Sequence, residues 1–203
     1  FESSLGGYTW GGAWVGNNNH AANVTDSGIV YSNTDNENAN ILYKALPDTV
    51  AGAKAWSVSA HIESQSGGLG TDTKVGIVPY YKDANNYVNV MLEYKSLDRP
   101  TELSNIQISG QIGDVGLWEG SLALQWANGY TFDTKTGIDI SVTMAANKTI
   151  VVTLTQGSTA QTFTINPNTT LANAWPSEAL GFGFSAQNCG EATFTNIAVA
   201  KVA

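Results

Sequence analysis

Successive side chains of an extended chain point to opposite faces, so a stretch that strictly alternates apolar and polar residues is satisfied by a strand with one face buried. Ile138-Asp139-Ile140-Ser141-Val142-Thr143-Met144 alternates without a slip, and Thr149-Ile150-Val151-Val152-Thr153-Leu154-Thr155 alternates with one. Ala145-Ala146-Asn147-Lys148 joins them, which predicts a hairpin. A second turn at Gln156-Gly157-Ser158-Thr159 leads into Gln161-Thr162-Phe163-Thr164-Ile165, so three sequential antiparallel strands are expected.

The same reading extends along the chain. Ala55 to Ile62 and Lys74 to Tyr81 read as strands around a Gly- and Ser-rich loop from Glu63 to Asp72. Pro79 has no N–H to give a ladder, which places it at a bulge or an edge. Asp83-Ala84-Asn85-Asn86 is a turn, after which Tyr87 to Tyr94 alternates again. Leu180 to Ser185 and Ala192 to Ala200 supply two more strands, and the glycine between Phe182 and Phe184 predicts a close approach by another backbone or a ligand. A helical turn is expected only around Asn168 to Trp175, and Lys95 to Asn128 is the least regular segment. About a dozen short strands with almost no helical periodicity predict an all-β, two-sheet antiparallel sandwich, residues 1–203 forming one domain.

Composition narrows the partners. With 42% apolar residues there is enough to fill the space between two sheets, and the scarcity of charge suits strands and turns. Nine basic residues against seventeen acidic ones give a net charge of −8, and Arg99 is the one arginine. Phosphate neutralisation needs clustered Lys and Arg, so nucleic acid is excluded as an expected partner, and anionic glycans are disfavoured by the same field. No apolar run is long enough for a membrane-spanning helix, and no membrane insertion is expected. The first four residues lack the basic and apolar regions of a signal peptide, as in a mature chain or one cut from a larger protein. A lone cysteine, Cys189, forms no internal disulfide and reads as a small half-buried residue in the Asn188-Cys189-Gly190 turn. The Lys-poor, Asn- and Thr-rich composition points to a secreted or cell-surface setting and a monomer, while sequons at Asn23, Asn147 and Asn168 arise readily in such a chain.

The order of these pieces resembles the concanavalin A-like lectin and glucanase jelly roll, especially the laminin-G-like or family-66-like carbohydrate-binding modules. The likeness is carried by Phe1-Glu2 with Leu5-Gly6-Gly7-Tyr8-Thr9-Trp10, Trp14 to Ile29, Gly76 to Val88, Ile138 to Thr155, and Ala192 to Val199. The resemblance implies neighbouring first and last strands and a carbohydrate ligand, and it allows a structural calcium ion. The glucanases that share the fold carry paired glutamates in a Glu-x-Asp-x-x-Glu arrangement, and this chain has no such motif.

Saccharides are held in water by stacking an apolar sugar face on an aromatic ring while planar polar groups fix the hydroxyls. Trp118 in Gly-Leu-Trp-Glu-Gly, and Trp126 and Tyr130 in Gln-Trp-Ala-Asn-Gly-Tyr, stand among loop residues and are candidate platforms. Trp10 and Trp56 stand beside strand patterns and read as core. Tyr80 and Tyr81 must point to opposite faces, so Tyr81 is taken as the exposed member, with Arg99 and Asp114 as hydrogen-bonding partners for hydroxyls. Oxygen-rich Asp35-Asn36-Glu37-Asn38 offers Asp35 and Glu37 to calcium, whereas Asp83 to Asn86 reads as a plain turn.

Glycoside hydrolysis needs two carboxyl groups roughly 5 to 9 Å apart. Glu93, Glu102, Glu119 and Glu191 stand isolated, with Glu93 the least poor candidate. The chain therefore reads as a binding module for a neutral polysaccharide or oligosaccharide rather than as an enzyme. A glycoside hydrolase or polysaccharide lyase on the same scaffold, or a structural or adhesive domain, are the rival readings.

Overall fold

The computed structural model describes residues 6–11, 20–34, 39–63, 73–94, 103–117 and 137–203. Its strands are β1 (Thr9–Gly11), β2 (His20–Thr25), β3 (Gly28–Asn33), β4 (Asn40–Ala45), β5 (Trp56–Ile62), β6 (Lys74–Asp83), β7 (Asn86–Tyr94), β8 (Leu103–Ile112), β9 (Val115–Gly116), β10 (Ile138–Met144), β11 (Ile150–Gln156), β12 (Thr159–Ile165), β13 (Gly181–Gln187) and β14 (Cys189–Lys201), with one helix, α1 (Thr169–Ala174), before β13. They form two seven-stranded antiparallel sheets. The first runs β1-β4-β13-β6-β7-β8-β9 and the second β12-β11-β10-β5-β14-β3-β2.

The alternation that predicts the strands also makes the core. On β5, Trp56, Val58, Ala60 and Ile62 are buried while Ser57, Ser59 and His61 are only partly so, and on β10 Ile138, Ile140, Val142 and Met144 are buried in the same way. These rows meet Val75, Ile77, Val88, Val90, Leu92 and Phe184 of the first sheet in one apolar cluster between the layers. Each fully buried side chain of this kind contributes about 1.5–3 kcal/mol, which lets the fold stand without a disulfide.

The β10–β11–β12 meander is present in the expected order and register. Pro79 sits at a bulge, where the β6–β7 register shifts between Ile77 and Tyr80. The freed strand is tied across the core by Trp56, whose Nε1 donates to the Pro79 carbonyl at 2.7 Å. Gly183 meets a backbone, as expected: a Cβ there would lie 2.1 Å from the Leu42 carbonyl oxygen of β4. Asn168 caps α1 by accepting the Leu171 N–H at 2.9 Å, and buried Leu171 anchors the helix.

The segment from Lys95 to Asn128 contains the ten-residue β8, whose Ile106, Ile108 and Ile112 keep period two through polar intervening residues. The opening strand expected at Phe1 and Glu2 lies outside the described residues. β1 pairs with β4 in one sheet, and β14 lies between β5 and β3 in the other.

The two sheets differ on their outer faces. In the middle of the first sheet, β6 from Val75 to Tyr81 and all of β13 are buried on both sides. In the second sheet, β5, β10 and β11 keep a partly exposed outer row.

Candidate functional site

The register of the first sheet places three rows of residues on its outer face. One row crosses Gly11, Ile41, Ser185, Gly76 and Met91. The next contains Tyr43, Gly183 and Val78, and a third pairs Tyr81 with Tyr87. Glycine at Gly11, Gly76 and Gly183 strips side chains from the floor, and neighbours occupy the space. A Cβ on Gly11 would clash with the Tyr81 hydroxyl and the Tyr43 ring, and one on Gly76 with Ser185 Oγ and Met91.

Over this floor Tyr43 and Tyr81 stack, with ring centroids 3.9 Å apart and planes 24° from parallel. Tyr87 extends the aromatic row, 6.2 Å from Tyr81. Tyr43 and Tyr87 are half-buried, whereas Tyr81 is only 5% exposed and packs with Ile41 and Val78. Burial pushes the Tyr87 phenol above its ordinary value, so it remains a neutral hydroxyl that can both donate and accept. Farther along the sheet, Ser185 Oγ donates to Asn89 Oδ1 at 2.7 Å in a buried setting. The arrangement is an aromatic wall beside a buried amide–hydroxyl pair, its side chains filling the space above Gly11 and Gly76.

Glu93 lies on the same side of β7 as Tyr87, Asn89 and Met91, opposite Lys74. Asp83 is committed to its turn, its Oδ1 accepting from the Asn85 N–H at 2.8 Å and from Asn86 Nδ2 at 2.9 Å. Among the described residues no group of three or more His, Cys, Asp or Glu side chains could hold a metal ion.

The expected site residues are thus distributed unevenly. Tyr81 belongs to the aromatic row, but the expectation that it is exposed is overturned. Tyr80 faces the inter-sheet core and Tyr81 the outer cluster, and both are 5% exposed because both faces of β6 are covered. Asp114 is exposed in the turn between β8 and β9. Trp118, Trp126, Tyr130, Arg99, Asp35 and Glu37 lie outside the described residues. Tyr43, Tyr87 and Asn89 had not been singled out, although Tyr87 and Asn89 stand two apart on an alternating strand and so share a face. Trp56 is wholly buried, Trp10 packs its edge on Tyr31, and Cys189 is buried with its thiol pushed up to about 12, as an unreactive core residue should be.

No family model matches the sequence, and comparison with curated proteins finds no match. Solved structures do match it over nearly its whole length. The exoplasmic/lumenal domain of VIP36, in its Ca2+/Man3GlcNAc-bound form, superposes with a TM-score of 0.60 at 10% identity, over 98% of this chain and 85% of that one. The carbohydrate-binding module CBM66 from Bacillus subtilis gives 0.59 at 13% identity, over 95% and 94%. A legume lectin-like domain from Entamoeba histolytica gives 0.58 at 10% identity, over 98% and 92%.

The fold is the concanavalin A-like jelly roll. At these identities the likeness fixes the path of the chain and the two-sheet layering, and leaves the ligand to be argued from the site.

Proposed function

We propose that this concanavalin A-like domain, residues 1–203, is a non-catalytic carbohydrate-binding module. It holds a neutral oligosaccharide or polysaccharide on the outer face of the first sheet. The observation that carries the reading is the half-buried Tyr43 ring stacked on Tyr81 over Gly11. Tyr43 offers a ring face to the sugar's CH groups, Tyr81 fixes its angle from behind, and Tyr87 lengthens the wall. The named ligand of the VIP36 structure and the named class of the Bacillus module support a saccharide. The net charge of −8 supports a neutral one.

The setting proposed is extracellular, with the chain acting as a monomer attached to a larger polysaccharide-acting or surface protein. Trp118, Trp126, Tyr130, Arg99 and Asp114 are retained as further contacts, and Asp35 and Glu37 as calcium ligands.

Affinity electrophoresis through gels of neutral polysaccharide, run with and without chelator, tests this. Tyr43→Ala is expected to weaken retardation about tenfold, the loss of one stacked ring at ~1 kcal/mol or somewhat more. Trp118→Ala and Trp126→Ala distinguish a loop platform from the tyrosine wall. Release of reducing or unsaturated sugar ends would replace the module by an enzyme, and no retardation in any gel would favour an adhesive role.

A further inference from the structure

The outer face of the second sheet, on the far side of the sandwich, holds a separate open depression of about 220 Å³. Its floor is the backbone around Ala60 and Ile140, and its walls include Ser59, Ser141, Thr155, Asp139, His61 and Asn196. Strand pairing dictates this gathering. Asp139 stands opposite both His61 and Thr155, and Ser141 stands opposite Ser59. Asn196 is aimed by a bulge where the β14–β5 register shifts between Thr195 and Ala198, and its φ of 49° lies in the left-handed region. Bulges commonly re-aim a side chain in this way.

His61 Nδ1 and Asp139 Oδ1 are 2.7 Å apart. A carboxylate only accepts, so the proton sits on His61 Nδ1, and this bond fixes Asp139 while leaving its Oδ2 for a ligand. The dyad does not read as a nucleophile's base. His61 Nε2 lies 3.8 Å from Glu63 Oε2 and against Gly137, where an added Cβ would fall 2.6 Å from it, and no hydroxyl is bonded to it. Among the described residues none makes a hydrogen bond or ion pair with the side chains of Ser59, Ser141, Thr155 or Asn196. The site therefore combines one oriented, two-thirds exposed carboxylate, three uncommitted hydroxyls and an amide, and no aromatic ring.

We propose that this depression is a second saccharide-binding site, in which Asp139 accepts hydrogen bonds from adjacent hydroxyls of one sugar ring and the Ser and Thr hydroxyls and Asn196 complete its coordination. The volume is below the ~300–1,000 Å³ of pockets that enclose drug-sized ligands, so it takes one terminal ring and not a chain. His61 is a positioning residue for Asp139. Lying on the opposite sheet, the site depends on the tyrosine-face reading only for the choice of sugars as probes.

Amide chemical-shift titration of the 15N-labelled chain tests it, with D-mannose, D-glucose, D-galactose and D-fructose added separately to about 0.2 M, beyond the millimolar affinity expected of one ring. At least one sugar should shift the amides of residues 59–61, 139–141 and 153–155 saturably. Asp139→Ala should weaken that binding about tenfold or more, the loss of a charged hydrogen-bond acceptor. His61→Ala should weaken it about threefold or more, and His61→Asn, which keeps an N–H donor for Asp139, should restore most of it. Tyr43→Ala should leave these shifts unchanged. Silence of the patch with all four sugars, or shifts that persist in Asp139→Ala, would overturn the proposal. Shifts at Val78 and Asn89 without shifts at the patch would sink this inference and leave the tyrosine-face reading standing. The converse pattern would do the opposite.

Discussion

Asp83 shows how a residue type able to bind calcium is used up by local geometry. The bond from Asn86 first, and then the backbone N–H of Asn85, hold its carboxyl below the ordinary value of 3.8. A lowered folded pKa means that the ionised form's contribution to stability is present above the unfolded pKa and is lost as pH falls through the folded value. Asp83→Asn should therefore flatten the acid limb of a urea-midpoint-versus-pH profile below the normal carboxylate range. An unchanged profile would show that the turn does not sense this charge. Asn40 presents the reverse situation. It is 1% exposed, and neither atom of its side-chain amide has a hydrogen-bond partner, although its backbone carbonyl accepts from Tyr31 Oη at 2.6 Å. A buried unpaired polar group costs about 1–3 kcal/mol, so Asn40→Leu, close in volume, should raise the unfolding free energy by a comparable amount in urea titrations. A loss instead would mean that the amide holds a partner in solution.

At the level of elements, β4 and β13 run so close that Gly183 is dictated by packing. A methyl group at Gly183 would strike the Leu42 carbonyl, part the two strands and loosen Tyr43, which the register places opposite Gly183. Gly183→Ala should lower stability by about 2–4 kcal/mol, read as a shift in denaturation midpoint with little change in slope. A neutral result would show that β4 moves aside freely. β6 carries the complementary device. Pro79 interrupts the ladder, and the Trp56 indole takes up its carbonyl from the opposite sheet. Pro79 announced a bulge in the sequence because its missing N–H is a local property. The indole bond could not be read there, since it joins residues 23 apart across two sheets. β8 was harder to read because Gly110 interrupts its apolar row, yet Ile106, Ile108 and Ile112 still reach the core.

For the whole molecule, period two made the sandwich legible because burying one face of each strand is a requirement that acts residue by residue. The candidate sites were less so, because they arise from register between distant strands. Tyr43 meets Tyr81 only when β4, β13 and β6 lie side by side, and His61 meets Asp139 only through the β5–β10 pairing. Nothing local marked His61 as more than a lone histidine. The apolar cluster between the sheets also makes a prediction about global opening. Cys189 is completely buried within it, and its thiol is pushed up to about 12 chiefly by that burial. A thiolate forms readily only once the residue reaches water. With an aromatic disulfide reagent at neutral pH, the native chain should react orders of magnitude more slowly than the unfolded one, and increasing urea should raise the rate in step with the unfolding equilibrium. If Cys189 reacted quickly while the tyrosine and tryptophan signals stayed native, the start of β14 would open independently of the two sheets. The sandwich would then comprise at least two cooperative units, with the β14–β3 contact as the weak seam.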